Sequence, residues 1–220
     1  MQKKLILIIF ICVAISGSHI FSQDVNVLET NINSLSNARK NNKAIDEYKK
    51  LFSLTKKHDV DLLHKITIGS LKDENPFMRA GGAIAAGQLG NDEAEPLLRA
   101  NLNDRDIWVR VWTAISISEV GDKKTVPDLV NLLNDRIDFV RISTVVSLGR
   151  LGDSSNIPDI AKALKDRNAN VRQMAAIALG RIGNDSAIPY LEKLLMEDND
   201  MWARLAAVAS LEKLLRKRGK

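Results

Sequence analysis

Between residues 62 and 215, one pattern of apolar and polar positions returns every 31 residues. Each copy contains a short apolar stretch and a longer one, and both keep the spacing of an amphipathic helix. In one copy the pattern predicts a first helix over residues 126–134 and a second helix over residues 139–151. Two antiparallel helices with a short connection form an αα-hairpin. About five such hairpins in tandem predict an all-α fold, an α-solenoid with a superhelical course.

Prolines and glycines at fixed positions support this division into repeats. A proline costs least in the first turn of a helix, because the N–H groups of that turn have no partner inside the helix. A glycine after each second helix is expected to end that helix in a left-handed conformation. The prolines are Pro96, Pro127, Pro158 and Pro189, and the glycines are Gly90, Gly121, Gly152 and Gly183.

An arginine near the start of each second helix follows an aspartate six residues earlier. The order Pro127, Asp135, Val140 and Arg141 resembles the HEAT repeat in its short bacterial form, which is also seen in phycobilisome lyases. In that family the aspartate and arginine form a ladder between neighbouring units. The resemblance therefore favours a structural ladder over a row of anion-binding arginines. The ladder residues would be Asp73, Arg79, Asp104, Arg110, Asp135, Arg141, Asp166, Arg172, Asp198 and Arg204.

The first 22 residues have the features of a cleaved signal peptide. Lys3 and Lys4 precede an apolar run over residues 5–15, and Ser22 offers a cleavage position. We therefore expect the mature protein in the periplasm or outside the cell. Cys12 is the only cysteine. Its use as a lipid attachment site is the less favoured alternative, since a bulky isoleucine precedes it.

The remaining regions and the charge complete the predicted organisation. Residues 23–61 are expected to form a helical extension, residues 62–215 the solenoid and residues 216–220 a basic tail. The formal charge of the chain is only +5, and two of the lysines lie in the predicted signal. This excess is too small to indicate nucleic-acid binding. We expect no membrane contact after signal cleavage, and a solvated tail rather than a phosphate site.

The second helices carry apolar residues on the side opposite their core face. A helix of this kind should be polar where it meets only water. In the HEAT family the second helices line the concave surface, so the resemblance places an apolar stripe there, with charges along one edge. We define the apolar stripe as Phe77, Trp108, Val111, Trp112, Ile115, Phe139, Ile142, Val146, Ile177 and Trp202.

The apolar stripe predicts a surface that something covers. One alternative is coverage by the N-terminal helices of the same chain. The other is a protein or peptide partner, which includes a second copy of the chain. Trp and Phe are frequent anchors of interfaces, and this favours partner docking. The leading hypothesis is an exported, non-enzymatic scaffold, and a lyase-like or chaperone-like helper of cofactor attachment is the second.

Residue types needed for catalysis are missing from the repeats. All three histidines precede residue 65, and the predicted mature chain has no cysteine. The spacing of His58 and His64 does not place them on one helix face, so a metal site is not indicated. The iron-binding His-Glu pairs of deoxyhypusine hydroxylase, another HEAT-like protein, are also absent. We expect no enzyme activity, no cofactor and no small-molecule substrate.

Overall fold

The computed structural model describes residues 65, 67–89, 92–120 and 123–218, which belong to one compact unit, Asp59–Lys220. The predicted signal peptide, Cys12 and the predicted N-terminal extension lie outside the described residues. The described part is helical, with no strand, and the prediction of an all-α solenoid is confirmed. Helices of two kinds alternate along it in the predicted order.

The second helices of the repeats are long, and the first helices between them are short. The second helices are α1 (Pro76–Leu89), α3 (Ile107–Val120), α5 (Asp138–Leu151), α7 (Ala169–Ile182) and α9 (Met201–Arg218). The first helices are α2 (Glu95–Asn101), α4 (Val126–Leu132), α6 (Ile157–Ala163) and α8 (Ile188–Glu197). A 3₁₀ turn precedes each of these four first helices.

The prolines stand where they were predicted, because each of the four first helices has a proline in its first turn. The prediction of left-handed glycines is right for Gly183, whose φ is 72°, and wrong for Gly152, whose backbone is extended. The reason lies in the following residues. Asp153 and Asn156 form a capping box that begins the next 3₁₀ turn at once, so the chain leaves α5 in an extended conformation.

The second helices stack directly on one another through small residues. A Cβ atom added at Gly149 of α5 would lie 2.8 Å from the Cβ of Ala178 in α7. Gly87 has the same close contact with Ser116, and Gly180 has it with Ser210. The first helices make few contacts with one another. The second-helix layer is therefore the more tightly spaced one, and we call its exposed side the inner face of the stack.

The core lies between the two helix layers. Each repeat contributes apolar side chains from both of its helices, for example Leu129 of α4 and Leu148 of α5, which are fully buried. Helix α9 continues to Arg218, so the first three residues of the predicted basic tail are helical. An exposed ion pair between Glu212 and Arg216, one turn apart, supports this extension of the helix.

Candidate functional site

The ladder arginines each reach from one repeat to the next. Arg141 donates from Nε and Nη2 to the two carboxylate oxygens of Asp166, at 2.6 and 2.8 Å. Its Nη1 donates to the backbone carbonyl of Asp135, the aspartate of its own repeat, at 2.8 Å. The other three pairs repeat this arrangement. They are Arg79 with Asp104, Arg110 with Asp135, and Arg172 with Asp198.

The ladder aspartates also shape the turns in which they stand. One carboxylate oxygen of Asp166 accepts the backbone N–H of Asn168, two residues later, at 2.8 Å. This Asx turn is repeated at the other ladder aspartates. Each of the four paired carboxylates therefore holds its own loop and also receives an arginine from the preceding repeat. Removing one would disturb both features.

The electrostatics of the ladder favour the charged forms. Burial is the largest single influence on the pKa of Asp104 and Asp166 and would raise both values. The hydrogen bonds from Arg79 and Arg141, the backbone N–H bonds of the Asx turns and the nearby positive charges together outweigh it and hold both pKa values below their usual range. Hydrogen bonds from Arg172 lower the pKa of Asp198. The donors of Arg79, Arg110, Arg141 and Arg172 are occupied by protein acceptors, so these four pairs offer no vacant anion site.

The two ends of the ladder differ from its middle. Arg204 of α9 is exposed, and no described repeat follows it with an aspartate. Asp73 is exposed before α1, and its carboxylate accepts the backbone N–H of Asn75 at 2.7 Å. The structure therefore joins eight of the ten predicted ladder residues into four pairs, and it leaves these two apart.

The apolar stripe is exposed unevenly. Phe77, Phe139, Ile177 and Trp202 are exposed, with Phe139 at 50% and Trp202 at 59%. The rings of Trp108 and Phe139 pack against each other, with centroids 5.9 Å apart. The remaining accessible members are half-buried, and they are Trp108, Ile115, Ile142 and Val146.

Two predicted members of the stripe are buried instead. Val111 is 7% exposed and Trp112 is 5% exposed, which corrects their assignment to an accessible surface. Trp112 stands one helical turn before Ser116, which packs against Gly87 of the preceding second helix, so both lie on that side of α3. Val111 belongs to the buried core cluster. Both side chains belong to the core between stacked helices.

Four large exposed apolar residues of α9 were not among the predicted site residues. They are Met201, Leu205, Val208 and Leu215. Val208 stands four residues after its repeat arginine, where the inner repeats have fully buried residues such as Val145. The motif alone assigns this position to the core. The exposure of Val208 could have been predicted by noting that no further described repeat packs against α9.

A shallow groove lies between α7 and α9 at the end of the stripe. Its lining comprises Ile177, Gly180, Arg181, Ala209, Ser210 and Lys213. The floor is apolar apart from the Ser210 hydroxyl, which donates to the backbone carbonyl of Ala176. Arg181 and Lys213 are exposed beside this floor. The groove thus combines apolar surface with two cations.

Neither metal ligation nor membrane crossing is indicated within the described ranges. No group of three or more His, Cys, Asp or Glu residues there could hold a metal ion. The helices of this part of the chain are also not long and apolar enough to span a bilayer.

Comparison with solved structures supports the fold. The complex of CpcE and CpcF of phycocyanin lyase from Nostoc sp. PCC7120 matches 81% of this chain and 74% of its own, with 24% identity and a TM-score of 0.58. A designed armadillo repeat protein matches 91% of this chain and 96% of its own, with 19% identity and a TM-score of 0.50. At these identities the likeness concerns the fold alone.

Comparison at the level of sequence identifies the family. No curated protein matches the chain. The family model for HEAT repeats matches residues 65–147 and 138–212, which together are more than half of the chain. These ranges contain helices α1 to α8, most of α9 and all four ladder pairs. The resemblance inferred from the repeat motif is therefore confirmed, and the chain belongs to the HEAT repeat family.

Proposed function

We propose that this protein is a non-enzymatic scaffold that binds a protein or peptide partner on the inner face of its second-helix layer. The observation that carries the proposal is the exposure of large apolar side chains on that layer. Phe139 and Trp202 stand at equivalent positions two repeats apart, and both expose about half of their surface or more. Exposed aromatic residues on one face are typical of interaction sites.

The ladder supports this role by fixing the spacing of the repeats. Each Arg–Asp pair joins one second helix to the turn that precedes the next second helix, so the apolar side chains of successive repeats stand in a regular row. A row of this kind needs little reorganisation when a partner binds, which limits the entropic cost of association. The charged side chains of the four ladder pairs bind one another. This arrangement suits a structural role and supports the proposal of a scaffold.

The test replaces Phe139 and Trp202 by serine together and measures partner capture by the purified chain from the native envelope fraction. We expect capture of the partner to fall at least about tenfold, since truncated interface anchors commonly cost 2 kcal/mol or more. The melting temperature should stay close to that of the unmodified chain. Met196→Ser is the control, because Met196 is an exposed apolar residue on a first helix.

The same variants separate docking from internal coverage. If residues 23–61 of this chain cover the stripe, the double serine variant would melt at a clearly lower temperature, and the scaffold proposal would fail. Retained capture with unchanged stability would place the partner on another surface.

We also propose that the protein is exported. The support is the N-terminal sequence, in which Lys3 and Lys4 precede the apolar run and small residues follow. Fractionation of cells that produce the full chain with a C-terminal tag tests this proposal. The expected product lies in the periplasm or the medium and begins at Gln23, whereas an uncleaved cytoplasmic product would refute export.

A helper role in cofactor attachment is the second candidate. Its support is the structural likeness to the complex of CpcE and CpcF of phycocyanin lyase. That likeness concerns the fold, and the described residues add no cofactor site to it. Failure of the purified chain to bind a bilin or to promote its transfer to an acceptor protein would remove this candidate.

A further inference from the structure

One edge of the inner face is basic in the last three repeats. The residue nine positions after each repeat arginine lies at the C-terminal end of the second helix, on the same side as the stripe. In the third, fourth and fifth repeats this residue is Arg150, Arg181 and Lys213, respectively. We call these three residues the basic row. Glu119 holds the position in the second repeat, 3.3 Å from Arg150.

Most of this positive charge is not neutralised. Arg181 and Lys213 form no ion pair with any residue that the structure describes, and both line the groove between α7 and α9. By contrast, the exposed Lys162 and Lys193 on the first helices each lie beside a carboxylate of the same helix. The unpaired cations thus stand next to apolar surface, where a bound partner would exclude water and strengthen their attraction for an anion.

The dimensions of the face suit a single helix. The basic row lies eleven residues beyond the aromatic positions, which corresponds to about 16 Å along each second helix. A helix with its side chains is about 10–12 Å across, so it fits between the two edges. A helix laid across successive second helices would contact the apolar stripe below it and the basic row on one flank.

We propose that the occupant of this face is an acidic amphipathic helix of a partner protein. Its apolar side would contact Phe139, Ile177 and Trp202, and carboxylates along one flank would pair with Arg181 and Lys213. This inference rests on the proposed scaffold function and adds the chemistry of the partner to it. Pairing at this edge would also fix the orientation of the bound helix, because the opposite edge is aromatic rather than basic.

The test measures binding of labelled synthetic peptides to the purified full chain by fluorescence anisotropy. The probe is an amphipathic peptide of about 20 residues, about 30 Å long as a helix, with a leucine stripe and glutamates along one flank. Two further peptides carry glutamine or lysine in place of every glutamate. At low salt we expect the glutamate peptide to bind about tenfold more tightly than the glutamine peptide, and this advantage should decrease at high salt.

Two double variants locate the effect. Arg181→Glu with Lys213→Glu should remove the advantage of the glutamate peptide and leave binding of the glutamine peptide unchanged. Lys162→Glu with Lys193→Glu makes the same change of net charge on the first helices and should have no effect. Trp202→Ser should weaken binding of both peptides, because it removes an apolar anchor.

The outcomes distinguish this inference from the scaffold proposal. Equal or tighter binding of the glutamine or lysine peptide would overturn the inference and leave an apolar docking face in place. No binding of any peptide would count against both. Binding of phosphatidylglycerol vesicles through Arg181 and Lys213, without binding of the glutamate peptide, would assign the basic row to a membrane and overturn the inference.

Discussion

The inner repeats and the last repeat place the same motif positions in different surroundings. Arg141 is 4% exposed and bonded to the next repeat, whereas Arg204 is exposed. Val145 is fully buried, whereas its counterpart Val208 is 44% exposed. The local helices are similar in both regions. The difference shows that a repeat position becomes core or ladder only when a neighbouring repeat covers it.

The small residues between second helices show the same contrast. Gly149 permits the close approach of α5 and α7, and Gly180 permits that of α7 and α9. At the equivalent position of the last repeat stands Glu212, which pairs with Arg216 on the helix surface. A further helix could not approach α9 as closely as α9 approaches α7. The last repeat thus lacks the small residue that permits close helix packing inside the stack.

Arg141→Ala is expected to have the largest effect on stability. The change leaves Asp166 with a buried charge and without its arginine, and breaking a buried pair in this way costs about 3 kcal/mol or more. Arg204→Ala removes the same side chain in an exposed position and should change the unfolding free energy by less than about 0.5 kcal/mol. Denaturant unfolding of both variants measures the contrast. Similar losses for the two would contradict the dependence on a neighbouring repeat.

Gly149→Leu should come next, with a loss of about 2 kcal/mol, because any side chain at residue 149 must displace α7. Leucine favours helix more than glycine does, so the loss would report the clash and not a weaker helix. Glu212→Leu places the same side chain at the equivalent position of the last repeat, where no described helix approaches, and should leave the melting temperature nearly unchanged. If Gly149→Leu melts as the unmodified chain does, the second helices are not in close contact.

The repeat unit, its family and the ladder pairs could be predicted because they depend on short-range spacing that recurs along the chain. An aspartate such as Asp135 is needed by its own turn and by Arg110 of the preceding repeat, so the motif marks both contacts at once. The all-α architecture follows from the same periodicity. Each of these features is fixed by residues that lie in one repeat or in two adjacent repeats.

Exposure along the stripe could not be predicted equally well, since it depends on packing between helices. Helical spacing places Val111 on the inner side, but packing between helices buries it in the core. The extended backbone of Gly152 has a similar cause, because the cap formed by Asp153 and Asn156 decides how α5 ends. The groove beside Arg181 likewise requires the relative positions of α7 and α9.

The smallest expected effect is a change in how stability depends on pH. The pKa values of Asp104, Asp166 and Asp198 are lower in the fold than in free aspartate. Each carboxyl therefore binds fewer protons in the folded than in the unfolded chain. The resulting stability is complete above the unfolded pKa of about 3.9 and is lost as the pH falls toward the folded value.

Asp166→Asn isolates one of these carboxyls. The variant should be less stable than the unmodified chain at pH 7, and it should lose less of its remaining stability between pH 5 and pH 3. Denaturant unfolding at several pH values measures this difference. Asp159→Asn, which removes a carboxylate from an exposed pair with Lys162, is the control for net charge and should follow the unmodified chain. An acid response of Asp166→Asn equal to that of the unmodified chain would mean that the inner ladder contributes no more than the surface pairs do.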